Sequence, residues 1–405
     1  MAEITILAER VRQYAAEHEE EFLIRLTHLH QYPELSFQEY ETTAYIKKEL
    51  ESMGITIVDA GLETGVIGLL EGAKKGPCIA LRADIDALPV VEESTSAYPS
   101  KHEGVMHACG HDTHMASLLG AAQILSHFRE ELHGTVKFLF QPGEETSKGA
   151  KKMIEHGCLK NPQVDAIFGM HNSSEIPVGT VAVKREPLMA AVDWLTFTIR
   201  GKGGHGGIPQ HMVDPVVAAA AVIQAVQTIV SRNVSPLDSA VVSICSMKAG
   251  EDGTNNVTPD EVKMYGTART YRKEVRETVV RRLHELTEQI SAAYGCVGEL
   301  DCDSELDATY NAPELYEIAY AAACDAGAEP VDPTPSTGGE DFASYTSLGG
   351  VPGFFYWLGV RNEEKDCVYS WHSPKFKADE KAIVIGAGTY AMSALEAMEK
   401  LKKES

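Results

Sequence analysis

The stretch Met106-His107-Ala108-Cys109-Gly110-His111-Asp112-Thr113-His114-Met115 packs one thiol, three imidazoles and a carboxylate into a short segment ahead of a helical run. Borderline divalent metals such as zinc, manganese, cobalt or nickel accept that mixture of nitrogen, sulfur and oxygen donors. Cys109 and His111 are two apart, so an extended backbone can turn both toward one ion. Taken singly, Cys109 also reads as a small buried hydrophobe, or as a redox thiol with no second cysteine nearby to resolve it. His114 falls at the start of the helix and reads as a support rather than a ligand. The second concentration is Glu144-Glu145. Neighbouring side chains in an extended or turning segment diverge, so one carboxylate can bind a cation while the other faces a water. Metal-assisted hydrolysis needs that division: a Lewis acid to lower the pKa of water and a base to take its proton. Spacing alone does not say which glutamate does which, and a solvated acidic turn would look alike.

Other features are weaker. Gly338-Gly339-Glu340-Asp341-Phe342 and Trp371-His372-Ser373-Pro374 each put a metal-competent side chain in a Gly- or Pro-containing loop. Gly201-Lys202-Gly203-Gly204-His205-Gly206-Gly207 sets one histidine among glycines; without a following Lys-Ser/Thr it is not a phosphate loop. His205 could donate to a developing oxyanion, or the segment could be a plain surface turn. Ile385-Gly386-Ala387-Gly388-Thr389-Tyr390-Ala391 fits a dinucleotide fingerprint, but too little chain follows for the βαβ unit that gives it meaning, so it reads as part of a terminal helix.

The elements that must position these residues follow from periodicity. Short apolar runs at 55–58, 66–70, 78–81, 136–140 and 166–170 alternate with helical stretches at 38–53 and 113–128, which predicts an α/β fold with a mostly parallel sheet. Three runs lead directly into Arg82-Ala83-Asp84-Ile85-Asp86, Gln141-Pro142-Gly143-Glu144-Glu145 and His171. Ligands of open α/β sheets bind beyond the carboxyl ends of strands, so these termini predict one shared site. Asp84, Asp86, Asp112, Glu144, Glu145, Glu340 and Asp341 are the acids expected around a cationic centre. The period changes near 188: Leu195, Phe197 and Ile199 alternate with polar residues. Asp214-Pro215 then supplies an N-cap and a first-turn proline for a long helix. Strands near 240–247, 262–270 and 299–306 and a helix near 273–294 complete a βαββαβ ferredoxin-like order. Residues 188–308 therefore read as a small α+β domain inserted into a catalytic domain made of 1–187 and 309–405.

Composition bounds partners more than chemistry. The chain has 405 residues, a length that suggests two domains. Its 36 Lys+Arg against 59 Asp+Glu give a formal charge of −23, which disfavours nucleic acid and anionic membrane as partners. No apolar run reads as a membrane span. The N-terminal segment lacks a basic region followed by an apolar one, so a cytoplasmic protein with eight reduced cysteines is expected.

Together, His-Ala-Cys-Gly-His-Asp (107–112), Gln-Pro-Gly-Glu-Glu (141–145), Gly-x-His (169–171), Gly-Lys-Gly-Gly-His (201–205), Gly-x-Glu-Asp-Phe (338–342) and His-Ser-Pro (372–374) resemble the M20 metallopeptidases. Within them the chain is similar to the aminoacylase, indole-acetyl-amino-acid hydrolase and hippurate hydrolase branch, from His30-Gln31-Tyr32-Pro33 to Pro374. The resemblance implies two divalent metal ions (Zn, Mn, Co or Ni) held by Cys109, His111, Glu145, His171 and His372. It implies Glu144 as general acid/base and Asp86 as an orienting carboxylate. It makes the inserted domain a lid, with His205 stabilising the tetrahedral intermediate and Asn256 and Arg269 binding the substrate carboxylate or carbonyl, and it implies a homodimer formed through that lid. At Asn172-Ser173-Ser174, Gly206-Gly207 and Thr258 the chain departs from the branch, at positions expected to line the substrate pocket.

The implied activity is hydrolysis of the amide bond of an N-acyl-L-amino acid, such as an N-acetyl or benzoyl conjugate. A dipeptidase or carboxypeptidase on the same scaffold, and a catalytically silent metal- and ligand-binding protein, are the alternatives.

Overall fold

A computed structural model describes residues 2–402. The chain divides into two compact units: Met1–Leu188 with Tyr310–Thr334 and Asp341–Ser405, and Met189–Thr309 with Pro335–Glu340. The first stretch runs α1 (Ala2–Glu17), α2 (Glu19–Gln31), α3 (Tyr40–Ser52), β1 (Thr56–Ile57), β2 (Val66–Glu71), β3 (Lys74–Asp84), α4 (His111–His127), β4 (His133–Gln141), α5 (Gly149–Glu155), β5 (Ala166–Pro177), β6 (Thr180–Ala182) and β7 (Glu186–Met189). The middle runs β8 (Ala191–Arg200), β9 (Gly204–His205), α6 (Pro215–Arg232), β10 (Ala240–Ala249), β11 (Val257–Thr258), β12 (Glu261–Thr270), α7 (Lys273–Ala293) and β13 (Val297–Leu306). The last stretch runs β14 (Thr309–Asn311), α8 (Tyr316–Asp325), β15 (Glu329–Val331), α9 (Ala343–Ser347), β16 (Gly353–Arg361) and α10 (Ala382–Lys400).

The first unit is built on an eight-stranded sheet ordered β1-β2-β4-β3-β5-β16-β6-β15. Its centre is parallel (β4-β3-β5-β16), while β1-β2, β2-β4 and β16-β6 pair antiparallel. The sheet is thus mixed, and parallel where the polar strand ends lie. Ile79, Leu81, Val136, Phe138, Phe168 and Phe354 are buried, as continuous apolar runs in a covered parallel sheet require. Helices α4 and α10 pack closely because small residues meet: a Cβ on Gly386 would fall 2.4 Å from Ser117 Oγ, and one on Gly120 2.7 Å from the Ala387 Cβ. The glycines of the apparent nucleotide fingerprint thus lie inside α10 and serve helix packing. Arg25 ties α2 to α3 and α4 through Glu49 at 2.7 Å and Gln123 at 2.6 Å.

The second unit is a four-stranded antiparallel sheet ordered β10-β12-β8-β13. Leu195, Phe197 and Ile199 turn inward onto Val222, Val226 and Ile229 of α6 and Val279 and Leu283 of α7. Asp214 caps α6, accepting from the Val216 N–H at 2.8 Å. α6 is long and apolar enough to cross a membrane by length and composition, which the expectation of no such run overlooked; its buried stripe is nonetheless committed to this core. The segment Pro335–Glu340 joins the unit because the Ala190 N–H reaches the carbonyls of Ser336 and Gly338, both at 3.1 Å. None of the eight cysteines is in a disulfide.

Candidate metal centre

Three neighbouring strand ends frame the site. Asp84 closes β3 opposite Gln141 at the end of β4, and β5 carries His171 just beyond the Arg82–Gly169 pair. β16 lies on the other side of β5, with Trp357 opposite His171. Gly110, at φ 82°, turns the chain from Cys109 into α4, which begins with His111. The helix starts at His111 rather than 113 because this left-handed glycine reverses the chain just before it. His372, itself at φ 63°, is brought in by its N–H to the Ala108 carbonyl at 2.9 Å.

These turns bring the five expected ligands into overlapping groups. Donor atoms of Cys109, His111 and His171 lie within 4.8 Å of one another, as do those of Cys109, Glu145 and His372. Cys109 belongs to both groups. A third group, His111 with Glu144 and Glu145, meets the same limit. Cys109 Sγ is 3.3 Å from His171 Nε2, and Glu145 Oε2 is 3.5 Å from His372 Nε2.

The histidine tautomers suit ligation. His111 Nδ1 lies 2.9 Å from the Asp86 carbonyl, and His171 Nδ1 2.8 Å from the Asn172 carbonyl. A carbonyl only accepts, so both rings carry a proton on Nδ1 and turn Nε2 into the site; burial would lower His111, but Asp84 and the Cys109 sulfur raise it well above its ordinary pKa, so a cation at its Nε2 would displace a second proton. His111 Nε2 and Glu145 Oε1 are buried without a hydrogen-bond partner. Buried polar atoms without hydrogen-bond partners are costly in a dry interior, and a shared cation would satisfy both. The residues therefore fit a metal site. Burial pushes the Cys109 thiol well above its ordinary pKa and pushes His171 well below its own. A cation bound between them would favour the deprotonated thiol and the neutral imidazole.

Glu144 and Glu145 sit on a single 3₁₀ turn, Glu144–Thr146, entered through Gly143 at φ 64°. A side chain at 143 would strike Phe37 at 2.4 Å. The Gly143 N–H donates to Glu39 at 2.9 Å. Asp86 accepts the N–H of Glu144 on one oxygen and that of Glu145 on the other, both at 3.1 Å. Ser36 donates to the same carboxylate at 2.7 Å. Burial would raise Asp86, but hydrogen bonds from His111 and Ser36 outweigh it and hold the carboxyl below its usual range.

Of the other expected acids Asp84 stays at the site, its donor atom within 4.8 Å of those of His111 and His114, whereas Asp112 turns to another partner. Asp112 faces His30 at 2.7 Å. Asp341 accepts from Arg82 and Gln141 at 2.9 and 2.8 Å. Asp84 accepts from His114 at 2.6 Å and from Arg82 at 2.9 Å. His114 is thus a buried support. Asn172, expected in the substrate pocket, is fully buried and bonded to the Cys109 carbonyl at 2.7 Å.

Within the second unit, β9 and β11 pair His205 with Val257, and the Gly206 N–H donates to the Asn256 carbonyl at 2.8 Å, so His205 and Asn256 are neighbours. Both are exposed. The Gly207 N–H donates to His205 Nδ1 at 3.0 Å, which leaves the proton of the neutral ring on Nε2, free to donate outward. Arg269 stands apart on β12, its guanidinium 5.1 Å from the Trp194 ring and bonded to the Thr267 hydroxyl and the Ala268 carbonyl. No described carboxylate is within ion-pair distance of it.

The sequence pointed to no role for Ser36, Glu39 or Trp371, and to a pocket position only for Asn172. Ser36 and Glu39 lie in the segment beginning His30-Gln31-Tyr32-Pro33, whose likeness to the family was the available signal. The model of peptidase family M20/M25/M40 matches residues 80–396. The chain is 46% identical over 375 residues to N-acetylcysteine deacetylase of Bacillus subtilis (strain 168), covering 92% of this chain and 96% of that one. It is 36% identical over 382 residues to thermostable carboxypeptidase 1 of Saccharolobus solfataricus, covering 93% and 95%. The crystal structure of the Bacillus subtilis YXEP protein, a dinuclear metal binding peptidase from the M20 family, superposes with a TM-score of 0.84 at 40% identity over 95% of this chain and 99% of that one.

Proposed function

Because this chain belongs to peptidase family M20/M25/M40, we propose that it is a metal-dependent amidohydrolase cleaving the amide bond of N-acyl-L-amino acids. Cys109, His111, Glu145, His171 and His372 would hold two divalent ions, drawn from zinc, manganese, cobalt and nickel. When bound, these ions supply Lewis acidity to a water and to the scissile carbonyl. Glu144 takes the proton of the attacking water and returns it to the leaving amine. Asp86 fixes the backbone that carries Glu144 and Glu145. His205 donates from Nε2 to the oxyanion, Asn256 binds beside it, and Arg269 receives the carboxylate of the amino acid, a pairing its planar fork makes bidentately. That Arg269 has no ion-pair partner among the described residues, in a chain with 59 acidic residues, supports that assignment. The second unit would serve as the lid and as the homodimer contact.

The observation that carries this reading is the pair of buried polar atoms without hydrogen-bond partners, His111 Nε2 and Glu145 Oε1, set beside Cys109 and His171. Elemental analysis combined with turnover of acetyl- and benzoyl-amino acids and dipeptides under each added metal tests it. Stoichiometric metal with no turnover of any of them would reject it. The carboxypeptidase relative favours peptide cleavage as a second reading; faster turnover of dipeptides than of acyl amino acids would select it.

A further inference from the structure

Asn172 is buried, and every polar atom of it is engaged. Its backbone N–H donates to His114 Nε2 at 2.8 Å. Its Nδ2 lies 2.7 Å from the Cys109 carbonyl and 2.8 Å from the same His114 nitrogen. Its Oδ1 accepts from Trp371 Nε1 at 3.2 Å, and its carbonyl accepts from the same indole at 3.1 Å and from His171 Nδ1 at 2.8 Å. His114 can accept there because its Nδ1 proton is given to Asp84 at 2.6 Å. The chain from Asp84 through His114 to Asn172 therefore runs with a single consistent polarity.

The partners of Asn172 come from its own strand and from two distant stretches of sequence. His171 precedes it on β5; one distant stretch holds Cys109 and His114, and the other holds Trp371, next to His372. We infer that Asn172 is a positioning residue that holds these three segments at the spacing a metal pair requires. The inference rests on the reading of Cys109, His171 and His372 as ligands. The residue type follows from the bonds. The carboxamide nitrogen faces two acceptors, which an aspartate oxygen would repel, while its oxygen faces an indole donor, which an apolar side chain would leave unpaired. Gly110 belongs to the same device, since a Cβ there would fall 2.3 Å from Asn172 Nδ2. Partners that orient ligands typically govern metal affinity by about 10–100-fold.

The test uses the cobalt-loaded protein, in which a thiolate-to-cobalt absorption band reports the placement of Cys109. Asn172→Leu should weaken cobalt binding by about 10–100-fold and shift or diminish that band. Trp371→Phe, which removes the indole N–H and trims the bicyclic ring to a single one while keeping an aromatic face toward His171, should shift it the same way by less. A wild-type spectrum and affinity in Asn172→Leu, whatever its thermal stability, overturns the inference. If that variant does not fold, an unchanged band in Trp371→Phe overturns it. Wild-type protein that binds cobalt without any thiolate band removes the ligand reading itself.

Discussion

The carboxylate of Asp86 lies 3.1 Å from the backbone nitrogen of Glu144, and its second oxygen holds the next amide, that of Glu145. One buried anion thus fixes two successive peptide planes, so the two glutamate side chains diverge from a set origin. Asp86→Asn presents an NH₂ to one of those amides and loses that bond. Turnover should fall about 10–100-fold, with metal still bound. Steady-state rates and metal content of the purified variant check this; unchanged rates would make the contact merely structural.

Glu144→Gln removes the only group assigned to proton transfer. The expected outcome is a kcat lower by about 10²–10⁴-fold with metal stoichiometry intact. Glu145→Gln should do the reverse, losing metal first. Metal loss in the Glu144 variant, with activity surviving, would exchange the two roles.

His205→Ala removes the Nε2 donor. A kcat loss of about 10²–10³-fold with metal unaffected is expected. Because the Gly207 N–H sets the tautomer, the ¹⁵N shifts of His205 should report a proton on Nε2 near neutral pH. A proton on Nδ1 would contradict the assigned donor.

Arg269→Leu should raise KM for N-acyl amino acids by at least about tenfold, the order expected for a charged hydrogen bond. Substrates whose carboxylate is replaced by an amide should be indifferent to the change. Equal losses for both substrate types would place the carboxylate elsewhere.

His30 gives a pH signature in stability. Burial alone would lower its pKa, but Asp112 and then Glu92 outweigh this and raise it from 6.5 to about 10. The charged pair therefore contributes fully below about pH 6.5, and the contribution is lost as pH climbs through about 10. The Tm of the wild type should fall more between pH 6.5 and 10 than that of His30→Gln. Parallel melting curves for the two proteins would refute the pairing.

Much of the site was legible because its residues are close in sequence or stand at strand ends. Cys109 and His111, the Glu144-Glu145 pair, and the three polar strand termini all lie where spacing placed them. What was misread follows from local geometry. Asp112 shares a segment with His111, yet successive residues on a helix point about 100° apart, so it turns to His30 instead of the site. Asn172 follows His171 on a strand, where neighbours face opposite sides, so it braces the site from behind and does not line the pocket. The sheet reads as mostly parallel from its alternating pattern, but β2 pairs antiparallel to β4, and pairing partners are tertiary information that no single run carries.

One consequence lies in the order of synthesis. β5 and β6 follow one another in the chain, yet β16 occupies the slot between them. A nascent polypeptide must therefore carry two open strand edges while the whole second unit is translated, closing them only when residues 353–361 emerge. Exposed edges recruit other strands, so premature termination or a stalled ribosome would leave a product prone to aggregation and lacking His372.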